Sequence, residues 1–256
     1  MVSYLNTLPL VWGMLHGPQR GRFSLSFGTP AECADRLARG EADIGIVPSI
    51  ELERQSLEII EGTGIACRGA VLSILLLSKK PFAGIESLAG DMTSRTSIEL
   101  ARVILRERYG AHPSVRLYYP DLRVMLENED AALLIGDQAL RVDQLDHPPF
   151  ILDLGHAWFE LTGLPMVFAV WAARAGCAPP GTAQVFRDSC RFGLSRLEEI
   201  VQAEARRRGL SPDLALGYLS RHIVYELGPR EYQGLRLFLD LARQPSEAGR
   251  LAARGA

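Results

Sequence analysis

Thr29-Pro-Ala-Glu-Cys-Ala-Asp-Arg-Leu-Ala-Arg-Gly-Glu-Ala-Asp-Ile-Gly-Ile-Val-Pro-Ser49 reads as one helix followed by one buried strand. Thr29 is a helix cap, Pro30 suits the first helical position, and Glu32 completes a capping box. Gly40 stops the helix. Residues 43–47 then form a short apolar strand, halted by Pro48-Ser49. A capped amphipathic segment feeding a short apolar run is the repeating unit of α/β proteins.

The alternation extends in both directions. Upstream, residues 2–5 and the alternating 23–27 read as strands. Downstream, 58–66 and 70–78 read as strands, the second ended by Lys79-Lys80-Pro81. Thr96-Ser97-Ile98-Glu99 has the form of a second capping box. Apolar residues at Ile98, Ala101, Ile104 and Leu105 continue it as a helix to about Tyr109. Residues 115–118, 131–135, 151–154 and 166–172 are expected strands, with a short helix at 121–127. Beyond Ala175 the chain reads as helix: a long amphipathic segment over 184–208, one capped by Ser211-Pro212, and one opened by Pro229. The layout predicts an α/β protein of two lobes with a ligand cleft between them. Lobe 1 comprises residues 1–79 and 172–256, and lobe 2 residues 80–171. The chain is expected to cross near Ser78–Pro81 and return near Phe168–Arg174.

Composition narrows the function. A chain of 256 residues suits one bilobed domain or two small ones. At 47% hydrophobic and 23% charged it is not disordered. Lys and Arg total 28 against 30 Asp and Glu, so no basic surface for nucleic acid is expected. Cys33, Cys67, Cys177 and Cys190 are scattered without metal-ligand spacing, which argues against zinc and against a disulfide framework. The opening residues lack a basic n-region and a cleavage site, and the apolar run 70–77 is too short to span a bilayer. The expectation is a cytoplasmic protein with no membrane partner. Nucleotide, lipase-type and zincin motifs are absent. His16, His112, His147, His156 and His222 are dispersed, and spacing gives none a catalytic role.

Polar residues gather where buried strands end, which is where open α/β sheets bind ligands. Asn6 offers a donor and an acceptor in Ser3-Tyr4-Leu5-Asn6-Thr7, or else caps the next helix. Ser49 either caps a short helix or presents donors to an anion. Ser94, Arg95, Thr96 and Ser97 bring three hydroxyls and a guanidinium to a helix N-terminus, a combination that favours a carboxylate or phosphate over a plain exposed cap. Asp137, after Gly136 at the end of 131–135, is a candidate base, a hydroxyl ligand or a helix cap. Residues alone thus leave two classes open: a binding protein for a small carboxylate, and an enzyme built on such a cleft.

Taken together, Val2-Ser-Tyr-Leu-Asn-Thr-Leu-Pro-Leu10, Gly40-Glu-Ala-Asp-Ile-Gly-Ile-Val-Pro-Ser-Ile-Glu51, Gly69-Ala-Val-Leu-Ser-Ile-Leu-Leu-Leu-Ser78, Ser94-Arg-Thr-Ser97, Ala132-Leu-Leu-Ile-Gly-Asp137 and Leu161-Thr-Gly-Leu-Pro-Met-Val-Phe-Ala-Val-Trp171 resemble, in this order, the chorismate dehydratases of the futalosine route to menaquinone. The resemblance implies a type II periplasmic-binding-protein fold. It implies a cofactor-independent hydro-lyase that converts chorismate to 3-[(1-carboxyvinyl)oxy]benzoate, with no metal. It implies that Asn6 is a catalytic polar contact. Ser94, Thr96 and Ser97, with Arg95 nearby, would hold one substrate carboxylate and Ser49 the other. Gly136 or Asp137 would bond the leaving hydroxyl, Ser73 would line the cleft, and Pro165, Met166 and Phe168 would close it. The alternative within the same pathway is 1,4-dihydroxy-6-naphthoate synthase. That family is expected to carry a catalytic histidine in the second lobe, and His112, His147 and His156 match no such motif.

Overall fold

The helix–strand unit at residues 29–49 forms as the sequence predicts. Glu32 N–H donates to Thr29 Oγ1 at 3.2 Å and Thr29 N–H donates to the Glu32 carboxylate at 2.7 Å, closing the capping box of helix Pro30–Ala38. Strand β1 (Ile44–Pro48) follows. The structure, a computed structural model, describes residues 1–142 and 148–244, so His147 lies outside the described residues. The other strands are β2 (Leu57–Cys67), β3 (Ile74–Ser78), β4 (Ser87–Asp91), β5 (Ser114–Tyr118), β6 (Ala131–Ile135), β7 (Phe150–Asp153), β8 (Met166–Arg174) and β9 (Val224–Glu226).

They form two sheets, in the orders β1-β8-β2-β9 and β5-β4-β6-β3-β7. Pairing in the first is antiparallel. In the second, β4 runs parallel to β5 and β6, because helices Arg95–Tyr109 and Leu122–Asn128 return the chain between these strands. Strand β6 is buried at every position, so its Ala-Ala-Leu-Leu-Ile run shows no alternation. No helix among the described residues is long and apolar enough to cross a membrane.

Strand β3 belongs to the second sheet and β8 to the first. The exchanges between sheets therefore fall at residues 68–73 and 163–165, upstream of the expected limits at 79/80 and 171/172. Lys79-Lys80-Pro81 is a turn at the end of β3: Lys79 N–H still donates to the Asp130 carbonyl at 3.0 Å, prolonging the β3–β6 ladder. The crossing itself bends at Leu72, whose φ of 61° is left-handed and costly for a residue with a branched side chain. Asp153 holds that bend, its carboxylate accepting the N–H groups of Val71 at 3.0 Å and Leu72 at 2.7 Å.

Other expectations shift for local reasons. Residues 2–5 form only a bridge, Val2 to Gly28, before a short 3-10 turn at Leu5–Thr7. Residues 23–27 pair with no strand. Ser87-Leu-Ala-Gly-Asp91 is a strand despite carrying no β-branched residue, because the parallel neighbours β5 and β6 supply its pairing. Helix Leu154–Thr162, unforeseen, is capped by the Asp153 side chain and stopped at Gly163. The expected helix over 184–208 breaks into Thr182–Leu194 and Leu197–Glu204, followed by a 3-10 turn at Arg206–Arg208. Helix Leu8–His16 lies against Thr182–Leu194 so closely that a Cβ on Gly193 would stand 2.1 Å from the Pro9 carbonyl. That contact fixes the segment carrying Asn6.

Candidate functional site

The N-terminal turn, the ends of β1 and β6, the crossing after β2 and the start of helix Arg95–Tyr109 converge on a cleft of about 570 Å³. That volume includes the open mouth of the cleft. Asn6, Ser73, Ser94, Thr96, Ser97, Gly136 and Phe168, all singled out in the sequence, line it together. Ile46, Ile65, Val71 and Ile135 supply apolar wall. Among the described residues no lining residue carries a charged side chain, and none is a histidine. Among the described residues no group of three His, Cys, Asp or Glu is placed to hold a metal ion.

An anion in this cleft meets neutral donors only. The strongest set is the N-terminus of helix Arg95–Tyr109, fifteen residues long, whose first N–H groups lack intrahelical partners. Ser94 caps it, accepting the Ser97 N–H at 3.4 Å, so the cap falls two residues before the capping box expected at Thr96. Thr96 instead accepts the Ile50 N–H at 3.2 Å and lies 3.4 Å from Ser49 Oγ. The Ser97 hydroxyl has no partner among the described residues and is free to donate into the cleft.

The opposite wall is a chain of hydrogen bonds. Asn6 Nδ2 donates to Tyr218 Oη at 2.9 Å, and Tyr218 Oη donates to Ser73 Oγ at 2.8 Å. Tyr4 stands between the walls. Its ring covers Gly136, where a Cβ would come within 2.8 Å of it, and the Gly136 φ of 63° also favours glycine. Thr93 Oγ1 donates to Asp91 at 2.7 Å, so Tyr4 Oη must be the donor in its 2.9 Å bond to Thr93. Burial, with Asp91 and Asp137 nearby, pushes the Tyr4 phenol up to about 12. It is neutral across the physiological range.

Five residues expected at the cleft, Ser49, Arg95, Asp137, Pro165 and Met166, are not among its described lining residues. Ser49 is fully buried and donates to the Val167 carbonyl at 2.8 Å, which leaves it bracing Thr96 rather than meeting an anion. The Arg95 guanidinium turns away to Asp35 at 2.6 Å and Glu51 at 3.2 Å, so its charge is answered by protein carboxylates. Asp137 accepts the Leu5 N–H at 3.1 Å and meets Arg208 at 2.5 Å, while Arg208 also donates to the Ser3 carbonyl at 2.8 Å. Asp137 thus anchors the turn that carries Asn6 and has no free oxygen for a reacting proton.

The sequence reading missed Tyr4 and Tyr218. Tyr4 had a signal, its place beside Asn6 in the same polar strand end. Tyr218 had none nearby, since its partners Asn6 and Ser73 lie far off in the chain.

The family model described as "Menaquinone biosynthesis" matches residues 1–244. A protein of Thermus thermophilus named chorismate dehydratase is 33% identical, the match covering 94% of this chain and 93% of that one. One of the same name from Campylobacter jejuni is 26% identical, covering 93% and 94%. Among solved structures, a Candida albicans gene product described as having the generic periplasmic binding protein fold superposes with a TM-score of 0.69. It is 11% identical and the match covers 96% of this chain and 90% of that one.

Proposed function

The chain belongs to the menaquinone biosynthesis family, and from that membership we propose that it dehydrates chorismate to 3-[(1-carboxyvinyl)oxy]benzoate. The curated relatives of that name, matched along nearly the whole chain, carry this reading. The cleft supports it chemically. Chorismate is a dianion of modest size, with a ring carboxylate, an enolpyruvyl carboxylate and a ring hydroxyl. One carboxylate sits on the N-terminus of helix Arg95–Tyr109, with the Thr96 and Ser97 hydroxyls beside it. The ring hydroxyl faces Asn6 and Ser73.

The reaction breaks the C3–H bond, and its electron pair forms the ring C3–C4 double bond. The C4–O bond breaks and water leaves, one per chorismate. Aromatisation drives the step, so the protein supplies orientation and charge placement rather than a strong base. Ser73 donates toward the departing oxygen. Its own oxygen already accepts from Tyr218, which leaves its proton for the cleft. The base is the second carboxylate of the substrate itself. Among the described residues the cleft lining holds no carboxylate, imidazole or amine, which supports that assignment. Ser94 caps the anion-binding helix, and Asp137 with Arg208 holds the Asn6 turn.

No electron transfer is needed, so we propose that neither metal nor organic cofactor takes part. Turnover of chorismate should be unchanged after dialysis against EDTA, measured by chromatography of the aromatic ether. A loss restored by a divalent ion would refute this part of the proposal.

A further inference from the structure

Asn6 and Ser73 reach the cleft from distant segments, and one buried group joins them. Tyr218 is 1% exposed and does not line the cleft. It opens a π-helical turn, Tyr218–His222, that follows helix Pro212–Gly217. Such turns hold an extra residue and often accompany functional sites. The neighbouring Tyr225 hydroxyl, also buried, has no partner among the described residues, whereas that of Tyr218 has two, both cleft residues.

The hydrogen bonds run one way along the chain, from Asn6 to Tyr218 to Ser73. A phenol has one proton, and Tyr218 gives it to Ser73. The Asn6 atom facing it must therefore be the amide nitrogen, and Asn6 Oδ1 is turned the other way. Ser73, having accepted, keeps its own proton for the cleft. With the direction reversed, Ser73 would spend that proton on Tyr218.

We infer that Tyr218 is a positioning residue for the dehydration: its hydroxyl sets the Asn6 amide and the Ser73 hydroxyl in their working orientations without touching substrate. The inference rests on the proposed chorismate reaction. Burial raises the phenol far above its ordinary ionisation range, so Tyr218 stays protonated and acts as a fixed donor, not as a base.

The test compares wild type, Tyr218→Phe, Ser73→Ala and the double variant with chorismate. Phenylalanine keeps the ring and its packing. We expect Tyr218→Phe to lower kcat about 10- to 100-fold with KM changed less than about threefold, the pattern of a contact felt in the transition state. In the Ser73→Ala background the same substitution should cost clearly less than in wild type, because one of the two groups that Tyr218 sets is already gone. A Tyr218→Phe protein with wild-type kcat, or an equal loss in both backgrounds, overturns the inference. If wild type leaves chorismate unchanged, the proposed reaction itself falls, and with it this role.

A second measurement needs neither variant nor substrate. In labelled wild-type protein the Asn6 side-chain amide should show a cross-peak to a slowly exchanging Tyr218 hydroxyl proton. Absence of that proton removes the contact on which the inference stands, even if Tyr218→Phe fails to fold.

Discussion

Ser73 and Asn6 are small neutral side chains whose protons, in the proposed reaction, point toward the reacting ring. Removing a preorganised donor at a developing charge typically costs about 10²–10³ in kcat. Ser73→Ala should therefore lower kcat about 100-fold with little change in KM, read by product chromatography. Asn6→Ala should fall in the same range, and near-normal turnover would remove Asn6 from the mechanism. Titration gives an independent check. Among the described residues Tyr4 is the one ionisable lining side chain and its phenol is pushed up to about 12, so kcat/KM should be flat between about pH 6 and 9. A bell-shaped profile in that window would mean that a protein acid or base takes part. The same shift has a stability consequence. The folded protein holds the Tyr4 proton where the unfolded chain has released it, so stability is lost as pH rises from 10 toward 12. Tyr4→Phe should flatten that alkaline decline in thermal melts.

At the scale of elements, the anion site is the start of one helix and the reaction side is one braced turn. Ser94→Ala removes the cap and should cost about 1 kcal/mol, which lowers Tm by roughly 2–4 °C in a chain of this size. Ser97→Ala should raise KM several-fold with kcat nearly kept, because Ser97 only helps bind a carboxylate that is present before and after the reaction. The turn depends on the partly buried pair Asp137–Arg208. Asp137→Ala and Arg208→Ala should each destabilise, and the double variant should lose less than their sum. Elements also show what could be read in advance. Capping at Thr29 and the apolar run at 131–135 are local signals, and both appear where the residues put them. Strand β4 carries no such signal, since its pairing comes from neighbours more than twenty residues away. Arg95 misled for a related reason: its type and place suggested an anion, but Asp35 and Glu51, which claim it, lie on other segments.

At the scale of the molecule, the cleft exists because the chain leaves one sheet at residues 68–73 and returns at 163–165. The alternation of elements made the α/β class legible, and the order of polar strand ends made most of the cleft legible. The point of crossing was not, because a left-handed Leu72 pinned by Asp153 leaves no mark in the residues around it. Contacts that fasten the two sides, Tyr4 to Thr93 and Arg95 to Asp35, join residues 89 and 60 apart in the chain. This cleft, uncharged among its described lining residues, is proposed to dehydrate chorismate. The most direct test incubates the purified protein with chorismate in metal-free buffer and follows masses with time. The expected result is loss of one water to a stable aromatic ether, faster than in protein-free controls. Tight binding of chorismate without any loss of water would contradict it and leave a carboxylate-binding protein.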